Sequence, residues 1–206
     1  MDACRVFLLS PPYFGGKRGE LIFNNSAQFA LAKSIRSPAG APLADVCSFI
    51  SGLYFRGKLS YARAFAQPPQ GCPGLLIITP NQGLKPADEI VTIGSLRNYA
   101  SVPIDQDDLR YRQPLERDAT ELAAVTGGQC EIVLLGSVAT GKYIDVLTKV
   151  FGSCLKFPAE FVGRGDMSRG GLMLRCAREG RELTYVRVEG AVRHGPRPAK
   201  LPKLEA

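Results

Sequence analysis

Short apolar runs separated by helical segments restrict the fold of this chain more than any other feature of its sequence. The runs at 4–10, 74–79 and 131–136 are long enough to form buried strands and too short to form helices of ordinary length. Strands that alternate with helices are typical of a mostly parallel sheet covered by helices. We therefore predict an α/β fold with a mostly parallel, Rossmann-like sheet flanked by helices.

The segments between these runs predict the helices and the weaker strands. Ser26 is expected to cap the first helix, and the polar stretch 13–19 before it is expected to be a loop. The segment 80–94 carries prolines and glycines and is also predicted to be a loop. A break near Ser51 and Gly52 divides the second helical segment. Helices are predicted at 26–36, 43–66, 112–126, 142–151 and 168–179, a short strand at 154–157 and an edge strand at 183–188.

The length and composition favour one folded unit. A chain of 206 residues with 45% hydrophobic and 22% charged residues has ordinary globular composition. We predict a single domain over 1–190, followed by an extended or mobile tail over 191–206 that is rich in proline and basic residues. The sequence has no 18-residue apolar run and no signal-peptide pattern, so we expect a cytoplasmic protein that does not enter a membrane.

The histidine and cysteine content argues against several classes of enzyme. His194 is the single histidine, which leaves no partner for a histidine-based triad or a multi-histidine metal site. The six cysteines form no C-x-x-C pair, so we expect neither a bound metal nor a cofactor. We expect the cysteines to be buried free thiols, since a disulfide framework is typical of exported proteins.

The charge balance favours a polyanionic partner. Lysine and arginine outnumber aspartate and glutamate by 26 to 19, which gives a net charge of +7. Such a balance suits nucleic acid or a nucleotide, although it also serves simple solubility. In parallel sheets, ligands bind at the carboxyl ends of the strands. The loops predicted at those ends are 10–18, 79–84, 136–142 and 158–169.

The strand-to-helix turn from Gly136 to Tyr143 fits the pattern G-x-x-x-x-G-K of a phosphate-binding loop. The residue after Lys142 is Tyr143, so the serine or threonine hydroxyl that would hold Mg²⁺ is missing. Two interpretations remain open. The segment is either an ordinary turn or a site for a single phosphate held by Ser137, Lys142 and the first backbone amides of the helix.

Arginines flank the predicted start of the last helix. Arg164 and Arg169 could bind a phosphate there, since the guanidinium fork suits bidentate recognition and the helix dipole favours an anion. Asp166 or Ser168 is expected to cap the helix. In the alternative interpretation, Asp166 simply pairs with one of the arginines.

Polar and basic residues also follow the first strand. Ser10 and Tyr13, with Lys17 and Arg18 close behind, stand where the ligand sites of α/β proteins lie. A proline-terminated strand followed by a solvated loop explains the same residues without a ligand.

Aromatic and basic residues alternate in one predicted helix. Tyr54, Arg56 and Lys58 are expected on its surface, where they could stack bases and contact phosphate, whereas Phe55 is expected in the core.

The loop after the second strand offers a different contact. Asn81 and Gln82 could bind the edge of a base through paired hydrogen bonds, or they could belong to a plain turn.

Five short motifs follow one another in a recognisable order: 8–11 with Lys17, 52–57, 82–88, 135–143 and 168–173. Their order resembles that of the bacterial peroxide-stress resistance (YaaA-like) family. Related small domains accompany enzymes of tRNA deazaguanine modification. The resemblance implies a DNA- or nucleic-acid-binding α/β fold with a basic cleft and a role in stress response, without implying a reaction.

The leading functional hypothesis is a nucleic-acid- or nucleotide-binding protein with a basic phosphate-binding cleft. A second hypothesis is an N-glycosidase or base-exchange enzyme, in which Asp88 or Asp166 supplies the carboxylate and Asn81 and Gln82 bind the base. A third is a non-catalytic accessory protein whose basic tail contacts an acidic partner. The sequence leaves open whether the chain is an enzyme and which oligomeric state it adopts. The phosphate contacts expected in the leading hypothesis are Lys17, Arg18, Arg56, Lys142, Arg164 and Arg169.

Overall fold

The computed structural model describes residues 4–199 and residue 201. Its α-helices are Lys17–Phe23 (α1), Ala30–Arg36 (α2), Leu43–Ser51 (α3), Leu53–Phe65 (α4), Ile93–Ala100 (α5), Leu109–Thr126 (α6), Gly141–Phe151 (α7) and Asp166–Glu179 (α8). Its strands are Arg5–Leu9 (β1), Ala41–Pro42 (β2), Leu75–Ile78 (β3), Leu84–Pro86 (β4), Ile90–Val91 (β5), Glu131–Leu135 (β6), Leu155–Pro158 (β7) and Tyr185–Arg187 (β8).

The main sheet confirms the predicted α/β architecture. Its strand order is β4-β3-β1-β6-β7-β8, in which β3, β1, β6 and β7 run parallel and both edge strands are antiparallel. β1 is central, with Phe7 opposite Leu75 of β3 on one side and Val133 of β6 on the other. From β1 the chain first adds β3 on one side and later β6 on the other. The boundary between β1 and β6 is therefore a topological switch point, where open α/β sheets bind ligands.

Successive residues of β1 face opposite sides of the sheet. Phe7 and Leu9 belong to the apolar core formed with α1–α5 and α8, whereas Val6 and Leu8 belong to the core formed with α6 and α7. All four side chains are fully buried. A continuous apolar run is what a strand covered on both faces requires, because neither face meets water.

Helices α4 and α8 approach one another through two glycines. A Cβ placed on Gly57 would lie 2.5 Å from the carbonyl oxygen of Gly170, and a Cβ on Gly170 would lie 2.8 Å from the carbonyl oxygen of Leu53. Both distances are too short for real contacts, so the two backbones touch only because side chains are missing at the crossing. This close approach brings Tyr54 and Lys58 of α4 beside Arg169 of α8.

Several local predictions were wrong. Helix α1 occupies part of the predicted loop 13–19, and Ser26 caps no helix, since α2 begins only at Ala30. The predicted loop 80–94 contains β4, β5 and the start of α5. In each case the element is short, and tertiary packing rather than local periodicity stabilises it.

A disulfide joins Cys4 to Cys130, which contradicts the prediction that the cysteines are all free thiols. The two residues directly precede β1 and β6, whose first residues face one another in the sheet. Their Cα atoms consequently lie 4.6 Å apart, although they are 126 positions apart in sequence. The other four cysteines are free, and Cys47 and Cys176 among them are buried as predicted.

The described part of the predicted basic tail has no helix or strand over 191–199. It lies against the start of α8, because a Cβ on Gly163 would collide with the backbone of Pro196, and Leu201 packs on the α8 side of the core. The boundary at residue 190 stays a prediction, and residues 1–3, 200 and 202–206 lie outside the described residues. None of the helices in the described ranges has the length and apolar character needed to cross a membrane.

Candidate functional site

A buried lysine lies at the carboxyl end of β1. Lys58 of α4 is 1% exposed, and its Nζ donates to the Ser10 carbonyl oxygen at 2.9 Å and to Ser10 Oγ at 2.7 Å. The same ammonium stands 4.0 Å from the centre of the Tyr54 ring. The prediction that Tyr54 and Lys58 lie on the surface was therefore wrong, whereas Arg56 on the same helix is exposed.

The surroundings of Lys58 disfavour its charged form. Burial lowers the pKa of Lys58 to about 7, and the charges of Arg169 and Lys142 act in the same direction. The charge of Asp166 opposes this shift but does not cancel it. At neutral pH part of the amine is consequently neutral, which is unusual for a lysine and typical of functional sites.

Arg169 is a second buried basic residue near Lys58. We refer to Lys58, Arg169, Tyr54, Tyr143 and Ser10 as the cluster. Arg169 is 8% exposed, and its Nε and Nη2 donate to the carbonyl oxygen of Phe161 at 3.2 and 2.9 Å. Its Nη1 lies 3.6 Å from a carboxylate oxygen of Asp166, whose side chain is 68% exposed. The predicted pairing of Asp166 with an arginine is thus observed. The predicted cap is not, since Gly165 precedes the helix and the described residues provide no side-chain cap.

Two buried tyrosines complete the cluster. The Tyr54 hydroxyl makes no hydrogen bond of ordinary geometry to any described residue. Burial raises the pKa of Tyr54 to about 12, although the nearby charge of Arg169 opposes the shift. Tyr143 is 3% exposed, and burial likewise raises its pKa, while the Ser10 side chain opposes the shift. Both phenols therefore stay protonated at neutral pH and can donate hydrogen bonds.

The cluster occupies the switch point of the sheet. The backbone amide of Ser10 donates to the carbonyl oxygen of Leu135 at 3.2 Å, which continues the β1–β6 ladder. Beyond it, a Cβ on Gly136 would lie 2.9 Å from Ser10 Cβ and 3.0 Å from Ser10 Oγ. The glycine at this position therefore lets the predicted phosphate-binding turn lie directly against Ser10.

A cleft of about 420 Å³ opens beside the cluster. Tyr143 and Lys142 form one wall of it, so Tyr143 joins the cleft to the buried group around Ser10. Three of the four predicted loops, 10–18, 79–84 and 136–142, contribute to the lining, and the fourth contributes Arg169 to the cluster together with its partner Asp166. The cleft is lined by Pro11, Pro12, Tyr13, Phe14, Gly15, Pro80, Tyr99, Ala100, Ser101, Val102, Pro103, Ile104, Lys142 and Tyr143.

The remaining basic residues of the predicted site differ in how exposed their side chains are. Lys142 is half-buried, 5.2 Å from the centre of the Tyr143 ring. Arg164 is also half-buried, and it donates to Ser168 Oγ at 3.2 Å while its Nε is buried without a partner among the described residues. Lys17 and Arg18 are exposed at the start of α1, and Arg18 donates to the carbonyl oxygen of Phe49.

Some predicted site residues have other roles or positions. The Asn81 side-chain amide donates to the carbonyl oxygen of Asn98 at 2.9 Å, and Gln82 accepts from the Tyr99 hydroxyl at 2.9 Å. These internal bonds favour the interpretation of a structural turn. Asp88 is exposed in the turn between β4 and β5. Ser137 is half-buried directly after Gly136, and Tyr13 is 80% exposed at the cleft.

Lys58 is the central residue that sequence reasoning misplaced. It stands four positions after Tyr54 and three before Tyr61, and all three side chains are buried on one face of α4. A lysine inside an apolar stripe of helical spacing was the available signal for a buried amine.

No family model, curated protein or solved structure matches this chain. The resemblance to the peroxide-stress resistance family accordingly stays a prediction. Among residues 4–199 and residue 201, no group of three or more histidine, cysteine or acidic side chains could hold a metal ion.

Proposed function

We propose that this protein binds a nucleotide, free or within a nucleic acid, with its phosphate at the switch point and its base in the adjoining cleft. The observation that carries the proposal is the buried pair of Lys58 and Arg169, next to a buried Tyr54 hydroxyl that makes no hydrogen bond of ordinary geometry to a described residue. Buried polar groups are normally hydrogen-bonded, so a phenol that makes no well-formed hydrogen bond beside these basic side chains suits an anionic ligand.

Electrostatics favour a phosphate at this position. Lys142 and Arg169 both act on Lys58 as like charges, and Asp166 is the carboxylate that acts on it. A bound phosphate would relieve this repulsion and stabilise the protonated form of Lys58. Helices α7 and α8 both begin at this edge of the sheet, where their dipoles also favour an anion.

The cleft suits the remainder of a nucleotide. Its volume of about 420 Å³ falls in the range of small-molecule sites. Tyr13, Phe14 and Tyr99 supply aromatic surface in its lining, together with several prolines. Stacking on aromatic rings tolerates any base, so we expect little base preference from these contacts. The resemblance to the peroxide-stress family favours DNA as the source of the nucleotide.

Binding can be measured by fluorescence anisotropy with labelled single- and double-stranded DNA and RNA, and by calorimetry with nucleoside monophosphates. One charge-assisted hydrogen bond contributes about 1.5–3 kcal/mol, so Lys142→Ala should weaken binding at least about tenfold. Lys149→Ala, which removes an exposed lysine of the same helix, is the matched control. Affinity for an oligonucleotide should also fall steeply with salt. The proposal is wrong if no nucleotide or nucleic acid binds, or if both variants bind equally.

One observation supports the glycosidase hypothesis. Of the two predicted carboxylates, Asp166 acts electrostatically on the buried cluster, whereas Asp88 lies in the β4–β5 turn. If the protein cleaves a nucleobase–sugar bond, Asp166→Asn should abolish release of free base while Asp88→Asn leaves it unchanged. Absence of base release by the unmodified protein from nucleosides and oligonucleotides would exclude this reaction.

A further inference from the structure

We propose that Ser10 is a nucleophile for phosphoryl transfer and that Lys58 is its general base. The proposal rests on the proposed function, since it assigns a reaction to the phosphate expected at the same site. It differs from that function in predicting a covalent serine intermediate.

The geometry of the pair suits proton transfer. Lys58 Nζ lies 2.7 Å from Ser10 Oγ, within the range required of a nucleophile and its base. The Ser10 carbonyl oxygen accepts a second hydrogen bond from the same amine at 2.9 Å, which fixes the position of Nζ. In the neutral amine, the 2.7 Å contact lets the serine hydroxyl donate to Nζ instead.

The surroundings keep the lysine available as a base. Burial lowers the pKa of Lys58 to about 7 in the free protein, so part of the amine is unprotonated at neutral pH. That neutral fraction is the form that accepts the Ser10 proton when a phosphate ester binds. A general base is most effective when its pKa lies near the working pH. The charged and titratable groups that act on Lys58 are Cys47 of α3, Lys142 of α7, and Asp166 and Arg169 of α8, together with the Tyr54 ring of its own helix.

The placement of Ser10 suits an anionic electrophile. Ser10 directly follows β1 at the switch point, and the next residue, Pro11, lines the cleft together with Tyr143. The Tyr54 hydroxyl and the cations Lys142 and Arg169 are the groups available to stabilise negative charge there. This excess of positive charge favours attack on a phosphate ester over attack on an uncharged acyl group.

The step balances with water as the single co-reactant. Ser10 Oγ forms a bond to phosphorus while the bond from phosphorus to the leaving oxygen breaks. The serine proton passes to Lys58, which then protonates the leaving oxygen. Water attacks the resulting phosphoserine and gives a proton to Lys58, and that proton returns to Ser10 Oγ as the phosphate departs.

An alkyl fluorophosphonate tests the pair directly, because it reacts with activated serines at phosphorus and leaves a stable adduct. We expect the adduct at Ser10 by intact-mass analysis and peptide mapping of the full chain, and none in Ser10→Ala. Lys58→Met should slow labelling about 100-fold, as loss of a general base does. Ser60→Ala removes an exposed serine of α4 and should label at the unmodified rate.

The pH dependence of labelling shows whether Lys58 acts as a general base or only stabilises the fold. Labelling of the unmodified protein should rise with pH and level off above about 7, as Lys58 loses its proton. Lys58→Met should lose this inflection while keeping the native circular dichroism spectrum. Labelling that is equally fast in Lys58→Met, or absent at Ser10 in the folded protein, overturns the proposal.

A second measurement keeps the proposed function and the reaction apart. Turnover of bis(p-nitrophenyl) phosphate and p-nitrophenyl phosphate is followed beside nucleotide binding in the same preparations. If Ser10→Ala binds nucleotide but neither turns over ester nor labels, the reaction and the binding site are both supported. If the unmodified protein binds nucleotide without labelling at Ser10, the reaction alone is refuted. Labelling without nucleotide binding refutes the phosphate substrate.

Discussion

Lys58 Nζ, which belongs to helix α4, donates hydrogen bonds to both oxygens of Ser10 at the end of the central strand. This contact between α4 and β1 places an amine of lowered pKa at the switch point of the sheet. A buried amine disfavours its charged form, and its position is maintained by the packing of α4 against β1 and α8. An amine whose charge is disfavoured by burial, at the edge of the sheet where α/β proteins bind ligands, indicates a functional residue.

The lowered pKa of Lys58 predicts how stability depends on pH. An unfolded lysine titrates near 10.4, so between about pH 7 and about pH 10 the unfolded chain binds more protons at this residue than the folded chain does. The Lys58 contribution to the free energy of unfolding therefore rises with pH across that window and is constant below it. Urea unfolding from pH 6 to pH 9 measures this dependence.

Lys58→Met provides the comparison, because it keeps an unbranched side chain and removes the titrating group. The difference in stability between the variant and the unmodified protein should be largest near pH 6, in favour of methionine, and should shrink as the pH rises. Parallel curves for the two proteins would show that Lys58 titrates normally.

The crossing of α4 and α8 predicts that alanine is tolerated at one of two adjacent glycines and not at the other. Gly170→Ala places a Cβ against the backbone of α4 and should destabilise the protein by roughly 1–3 kcal/mol. Gly171→Ala places its Cβ 3.8 Å from Leu201, an ordinary contact, and should be neutral or slightly stabilising because alanine favours helices. Equal unfolding midpoints in urea for the two variants would contradict the crossing.

The disulfide between Cys4 and Cys130 predicts a redox effect on stability. Replacing both cysteines with serine should lower the free energy of unfolding by about 2–4 kcal/mol, because the crosslink closes a long loop in the unfolded chain. Thermal unfolding with and without reductant should show the same loss in the unmodified protein and none in the double variant. Cys72→Ser, at a free and half-buried cysteine, is the control.

The architecture could be predicted because its signal is local. Each strand of the parallel core is an apolar run that meets no water on either face, as the full burial of Phe7 and Leu8 shows. The rule that ligands bind at the carboxyl ends of strands then selected the loops that meet around Ser10 and Tyr143. Periodicity and one topological rule were sufficient for this level of description.

The rest depends on contacts between distant parts of the chain. Cys4 and Cys130 meet only because β1 and β6 are neighbours, and no local pattern encodes that pairing. The spacing within α4 marks the face that carries Lys58, but no local pattern encodes that α8 crosses this helix at two glycines. The turn at Gly136 fits a nucleotide-binding pattern. Its Tyr143, however, is buried beside Ser10 and stands where such a loop has the hydroxyl that holds a metal ion.

Nuclear magnetic resonance of lysine side chains tests the central claim most directly. With selectively labelled lysine, the Lys58 signal is assigned by its loss in Lys58→Met and is titrated with and without a nucleoside monophosphate. We predict a midpoint near pH 7 in the free protein that moves to higher pH when the phosphate binds. A Lys58 midpoint near that of an ordinary lysine, or one that saturating nucleotide leaves in place, would contradict a phosphate site built around Lys58.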